Sequence, residues 1–181
     1  QIGALTGQWC ALEWENHKHD PSSTPMFRDI VGNSPDCMDP YELDLVEAFE
    51  AAEEYDQDEA SVSVLPLGGV VFHESRCGST LVANMLQTLS PQHRVYSESP
   101  PPIAGLRNVC GEDYTRCSID SAASILQKII YLMSRSNMDE TRVFFKIQSI
   151  GSRNMEVFLK AFPSTPWLFV YRHPNSRNHG D

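Results

Sequence analysis

From residue 69 onward, apolar and polar positions fall into alternating blocks with two different periods. Gly69-Val70-Val71-Phe72-His73 is a short apolar run suited to a buried strand, and Glu74-Ser75-Arg76-Cys77-Gly78-Ser79-Thr80 is a polar turn containing glycine. Leu81, Val82, Met85, Leu86 and Leu89 then recur at helical spacing, which predicts a helix over about Ser79–Leu89. Further along, Arg94–Tyr96 reads as a short strand, Pro100-Pro101-Pro102 as an extended loop, and Ile119–Ser134 as a helix carrying Ile125, Ile129, Ile130 and Met133 on one face. Val143–Ile147 reads as a strand, Asn154–Phe162 as a helix stopped at Pro163, and Trp167–Tyr171 as another strand. Strands alternating with helices predict an α/β fold with a parallel sheet and helices on both faces.

The first part of the chain is patterned differently. Residues 1–38 scatter Trp9, Trp14 and Phe27 among polar residues with no sustained period, which predicts irregular, partly packed structure. His17, His19 and Asp20 have no convergent partner on a polar loop, so solvation rather than metal binding is expected there. Asp39-Pro40 resembles a helix N-cap and first-turn proline, with Leu43, Val46, Ala48, Phe49 and Ala52 following on one face through about Tyr55. The opposite face holds Glu42, Asp44, Glu47, Glu50, Glu53, Glu54, Asp56, Asp58 and Glu59. These acids lack the spacing of a calcium loop and read as a solvated helix face. A division follows: residues 1–62 as an acidic N-terminal extension with one amphipathic helix, and 63–181 as the α/β domain.

Charge sharpens that division. The 181 residues carry a formal net charge of −10, which by itself argues against nucleic-acid binding. Residues 1–75 hold sixteen Asp/Glu against only Lys18 and Arg28, whereas residues 76–181 hold eight acids against twelve Lys/Arg. The second part is therefore basic enough to hold a small anion. No run of eighteen apolar residues is present to predict a membrane span. The chain opens on Gln1 rather than Met, compatible with a preceding signal or anchor, and leaves both Golgi lumen and cytoplasm open. Among Cys10, Cys37, Cys77, Cys110 and Cys117 there is no C-x-x-C pair, so a zinc ribbon is not expected. Cys110 and Cys117 are near enough for a local disulfide in an oxidising compartment, but unrelated free thiols are the default expectation.

The turn at residues 74–80 carries the candidate chemistry. A tight turn feeding a helix N-terminus aims backbone N–H groups and the positive end of the helix dipole at one point, which suits phosphate or sulfate. Gly78 permits close approach, Ser79 and Thr80 add hydroxyls, and Arg76 adds a permanent charge in a fork geometry. An ordinary strand-to-helix turn with a glycine is the plain alternative. The ATP/GTP form of this device, G-x-x-x-x-G-K-[ST], is not met: Ser79 follows Gly78, no glycine stands five residues before it, and neither later strand ends in an aspartate for magnesium.

Ser75-Arg76-Cys77-Gly78-Ser79-Thr80-Leu81 resembles the 5′-phosphosulfate loop of the PAPS-dependent sulfotransferases, most closely the carbohydrate and tyrosylprotein branches. Trp167-Leu168-Phe169-Val170-Tyr171-Arg172-His173-Pro174 is similar to that family's 3′-phosphate segment, an apolar strand ending in Arg-x-Pro. The resemblance spans about residues 68–174 and implies a three-layer, P-loop-like α/β fold. It implies that Arg76, Cys77, Gly78, Ser79 and Thr80 hold the 5′-phosphosulfate of PAPS and that Arg172 neutralises its 3′-phosphate. No metal is implied. As catalytic residues it suggests Arg76 and Glu98, the latter as the base for an acceptor hydroxyl with its pKa raised by partial burial, a solvated loop glutamate being the alternative; Lys146, at the carboxyl end of a strand, reads either as the stabiliser of the leaving phosphate or as half of a surface ion pair. The histidine that the cytosolic branch places near this lysine is missing, since Gln148 stands there, and His73 reads as a satisfied strand-end histidine. Gly180 stands where the family has a serine, so the resemblance implies a C-terminally incomplete domain.

The expected partners are a nucleotide and a hydroxyl-bearing acceptor such as a carbohydrate, with no nucleic acid. Two other readings stand beside sulfuryl transfer: a non-catalytic PAP-, anion- or partner-binding module of the same fold, and a P-loop kinase or NTPase, which the absent lysine and aspartate disfavour.

Overall fold

The computed structural model of the chain describes residues 5–58, 61–112 and 115–173. Glu59 of the acidic run and the polar tail from Pro174 onward lie outside them. In chain order the elements are β1 (Thr6–Trp9), α1 (Glu15–His19), α2 (Phe27–Asn33), β2 (Tyr41–Asp44), α3 (Leu45–Asp58), β3 (Ser63–Val64), β4 (Leu67–His73) and α4 (Ser79–Leu89). They continue with β5 (His93–Ser97), α5 (Pro101–Cys110), α6 (Ile119–Met133), β6 (Arg135–Ser136), β7 (Arg142–Lys146), α7 (Met155–Ala161) and β8 (Trp167–Val170). Short 3₁₀ turns occupy Pro35–Met38 and Ser149–Asn154.

A four-stranded sheet in the order β5-β7-β4-β8, every pairing parallel, forms the centre of this α/β fold. Side-chain alternation along its strands supplies two apolar faces. Val70 and Phe72 of β4, Val143 and Phe145 of β7 and Tyr96 of β5 join Leu106 of α5, Leu126 and Ile129 of α6 and Phe158 of α7 in one core. Phe72 meets Phe158 edge to face at 5.4 Å, and Tyr96 stacks on Phe145 at 4.9 Å. Val71 and Phe144 face the other way, where Leu86 of α4 lies. Helices therefore flank the sheet, as the alternation of apolar runs predicts. Among the described residues no helix is long and apolar enough to cross a membrane.

The N-terminal segment packs onto the same core. Trp14, Ile30 and Leu45 belong to it, and Trp14 meets Tyr96 edge to face at 5.1 Å. Nearby, the buried Glu140 carboxylate takes Lys18 Nζ at 2.9 Å and Arg94 Nη2 at 3.0 Å, so a residue preceding β7 ties α1 to β5. Two local expectations give way here. The helix opening at Asp39-Pro40 starts instead at Leu45, because residues 41–44 pair with β1 and the Asp44 carboxylate accepts the Val46 amide at 2.8 Å. The acidic face of α3 is mostly solvated, but Asp56 accepts from Arg135 Nε and Nη2 and from the Tyr131 hydroxyl, pairings that hold its carboxyl below the usual range.

Two further corrections concern prolines and cysteines. Pro100-Pro101-Pro102 opens α5 rather than an extended loop, with the Ala104 amide donating to the Pro100 carbonyl at 2.8 Å. First-turn residues have no intrahelical acceptor for their amides, so prolines lose nothing there. The cysteines are not unrelated thiols. Cys10 bonds Cys37 and Cys110 bonds Cys117, leaving Cys77 free. One bridge closes the N-terminal segment on itself and the other joins the end of α5 to the approach to α6. Cys10 and Cys37 are 27 residues apart, and removing both by serine substitution is expected to cost about 3–4 kcal/mol of unfolding free energy. Urea titration under non-reducing conditions measures this, and a loss under about 1 kcal/mol would contradict a stabilising bridge.

Candidate anion site at the carboxyl ends of the parallel strands

Parallel strands joined by helices bring their carboxyl ends to one edge of the sheet, where the connecting loops form the natural ligand surface. Register places His73 of β4 beside Val170 of β8, and Lys146 of β7 beside Ser97 of β5. The residues that the resemblance implicates, Arg76 to Thr80, Glu98, Lys146 and Arg172, lie at this edge, in a loop leaving it or in the first turn of α4.

The turn between β4 and α4 is shaped by two left-handed residues, Arg76 at φ 60° and Gly78 at φ 90°. For Gly78 this conformation is freely accessible, whereas an arginine adopts it only at a cost of about 1–2 kcal/mol. Gly78 is also the N-cap of the eleven-residue α4 and has no side chain to satisfy the first-turn amides. A Cβ added there would meet no atom within 4 Å, so open space faces these amides. Arg76 is exposed, Cys77 and Thr80 are half-buried, and Ser79 is buried. The arrangement has what an anion requires: first-turn amides without a side-chain cap, the positive end of a helix and an exposed cation. Arg172, also exposed, follows Val170 by two residues and so leaves the same edge.

Glu98 and Lys146 meet directly. The Glu98 amide donates to the Lys146 carbonyl at 2.7 Å, and its left-handed φ of 58° turns the side chain back so that Lys146 Nζ donates to Oε1. The Lys146 side chain is fully buried, while that of Glu98 is 28% exposed. The pair is thus a buried ammonium whose one carboxylate partner opens to solvent.

His73, which sequence reasoning set aside, belongs to the same cluster. Its Nε2 lies 3.4 Å from Glu98 Oε1 without forming an aligned hydrogen bond, and its Nδ1 lies 2.8 Å from the Glu74 carbonyl oxygen. Ser152 clamps the backbone here, donating to the His73 carbonyl at 3.0 Å and accepting from its amide at 3.3 Å. The available signal in the sequence was position alone: His73 is the last residue of an apolar strand, immediately before the anion-loop candidate.

The electrostatics of Glu98 run opposite to expectation. Burial pushes its carboxyl upward, but the facing His73 ring, when protonated, and then Lys146 outweigh that and hold it at about 2. At rest Glu98 is an ionised counterion, not a carboxyl poised near neutrality.

No protein-family model, characterised protein or solved structure matches this chain.

Among the described residues no group of acidic, histidine or cysteine side chains is arranged to hold a metal ion. An apolar cavity of about 270 Å³ lies against Trp9, Phe27, Tyr96, Gly105 and Ile129; it is lined by none of the residues just described, and none of its lining residues is charged. It does not suit a polyanion. The site at the sheet edge therefore stands on loop geometry and charge.

Because the Glu98 carboxyl is depressed to about 2 from an ordinary 4.5, the stability it contributes is fully present above pH 4.5 and is lost as pH falls toward 2. Glu98→Gln is expected to flatten this part of the acid-unfolding curve while lowering stability at pH 7, since Lys146 is left buried without its counterion. Urea midpoints at pH 7, 4 and 2.5 measure both effects, and an unchanged acid slope in the variant would contradict the pairing.

Proposed function

We propose that this chain forms a sulfuryl-transfer domain that binds PAPS through the β4–α4 turn and transfers its sulfuryl group to a hydroxyl acceptor. The observation that carries the reading is the juxtaposition, at one sheet edge, of an open glycine-capped helix N-terminus with the Glu98–Lys146 pair. The turn fits an anionic group because the space before Gly78 is open and the adjacent amides and Arg76 supply donors. Resemblance of the 75–81 and 167–174 segments to the sulfotransferase motifs adds the identity of the anion.

Each residue has a physical role in this reading. The amides at Gly78, Ser79 and Thr80, with Arg76, bind the phosphosulfate end and stabilise charge developing on its oxygens. Arg172 pairs with the phosphate at the other end of the nucleotide. PAPS when bound supplies an activated sulfuryl group on a good phosphate leaving group. Lys146, drawn toward the anionic oxygens, loosens its hold on Glu98, and the carboxylate then accepts more readily the proton of an acceptor hydroxyl held over the site. The basic surplus after residue 75 matches a ligand with phosphate at both ends.

A non-catalytic binding module has one observation in its favour: the resting carboxyl of Glu98 is held at about 2, too low for a strong base until Lys146 is drawn away. Two measurements separate the readings. PAP is expected to raise the melting temperature in EDTA, with the shift lost in Arg76→Ala and reduced at least tenfold in apparent affinity in Gly78→Ala, whose new side chain would stand in the cradle. Stabilisation by Mg·ATP alone would contradict the PAPS reading. Transfer of labelled sulfate from PAPS to hydroxyl acceptors should fall about 10²-fold or more in Glu98→Gln, and PAP binding without any transfer would favour the binding module.

A further inference from the structure

We infer that His73 is the proton store of this site: Glu98 takes the proton from the acceptor hydroxyl and His73 Nε2 receives it from Glu98. The inference rests on the sulfuryl-transfer reading and adds to it a positioning residue that acts through Glu98 rather than on the substrate.

The tautomer follows from bonding. The Glu74 carbonyl can only accept, so Nδ1 at 2.8 Å must carry a hydrogen, and in the neutral ring Nε2 holds a lone pair. That nitrogen is buried, has no hydrogen-bond partner, and faces Glu98 Oε1 at 3.4 Å. His73 as a residue is 4% exposed. A neutral lone pair set against a carboxylate oxygen gains nothing, whereas a single proton between them converts the contact into a favourable one. The geometry is that of two acceptors awaiting one proton.

Exposure fixes the order of transfer. Nε2 is buried and out of reach of a hydroxyl arriving from solvent, while the Glu98 side chain, 3.4 Å from it, is 28% exposed. In the step, a lone pair of the acceptor oxygen forms the new O–S bond. The bridging S–O bond breaks with its electron pair going to the phosphate of PAP, and the hydroxyl proton passes to Glu98 and on to Nε2. The product state is an imidazolium beside a carboxylate, with charge and atoms balanced. A carboxylate that Lys146 keeps weakly basic can serve as an acceptor under this arrangement, because the proton moves on to a nitrogen.

The charged residues on the elements adjoining His73 are Glu98 beyond β5, Lys146 at the end of β7, Arg153 on the Ser149–Asn154 turn and Arg172 beyond β8, with Glu74 and Arg76 in its own loop. Among the described residues, Glu98 is the acidic group that reaches a ring nitrogen within 4 Å. Ser152 holds the backbone rather than the ring, so Nε2 keeps its lone pair for Glu98.

Two arms test the inference and separate it from the reading on which it rests. In the full chain without ligand, ¹⁵N NMR of the histidine rings should show the neutral His73 ring as the Nδ1–H tautomer. The Glu98 carboxyl signal should shift when Nε2 takes up a proton. An Nε2–H tautomer, or a His73 titration that leaves the Glu98 signal unmoved, would overturn the proposal. In the second arm, His73→Gln keeps a polar group beside Glu98 but cannot accept a proton. It should bind PAP with unchanged affinity, lower kcat about 10²-fold with little change in KM for PAPS, and abolish the fall in rate on the acid side of the pH profile. Retention of the wild-type rate, or of the acid limb, would overturn it. Failure of wild-type protein to bind PAP would sink the sulfuryl-transfer reading, and the NMR titration still decides whether the two groups share a proton. It also decides if His73→Gln does not fold.

Discussion

A fully buried ammonium must have a counterion, and Lys146 has one in Glu98. Much of the candidate site is arranged around that requirement. The left-handed backbone at Glu98 turns its side chain back over β7, and the bond from the Glu98 amide to the Lys146 carbonyl extends the β5–β7 ladder by one residue to hold the turn. Removing one partner of such a pair typically costs about 3–5 kcal/mol, because the other charge stays buried and unpaired. The pair is consequently both a structural tie between two strands and a latent source of chemistry. In the proposed function, a bound polyanion would compete for the lysine and free the carboxylate to act on an acceptor hydroxyl.

The sheet converts this local pairing into a site. Parallel order places the ends of β4, β5, β7 and β8 along one edge, so that the glycine-capped turn, Glu98, Lys146 and the segments bearing Arg76 and Arg172 share that edge from positions up to about a hundred residues apart in sequence. Energetic support comes from the core under that edge, where Phe72, Phe145 and Leu106 are completely buried. Burying side chains of this kind contributes about 1.5–3 kcal/mol each, enough to hold strained residues such as Arg76 and Glu98 in left-handed conformations.

Much of this was legible in the sequence because it depends on short-range pattern. The apolar runs ending at His73, Lys146 and Val170, and the helical stripe after Gly78, specify the strands and helices that bear the site. The misreadings share a cause: the deciding partner lies elsewhere in the chain or in backbone geometry. Residues 41–44 became a strand because β1 is available to pair with them. Cys10 found Cys37 across a fold that spacing alone does not reveal. Glu98 was expected to be raised by burial, and the opposite shift came from His73 and then Lys146, which are 25 and 48 residues away in sequence. The proline triplet was misread for a local reason, since prolines favour both extended loops and the first helical turn.

Binding of a doubly phosphorylated nucleotide at the β4–α4 turn is the claim on which the functional account stands. Amide chemical shifts of the ¹⁵N-labelled chain, followed as PAP is added in EDTA, test it most directly. The account predicts saturable shifts that are largest at Gly78, Ser79 and Thr80, with a second group at Arg172. Shifts absent from these amides, or confined to the apolar cavity beside Trp9 and Ile129, would contradict it.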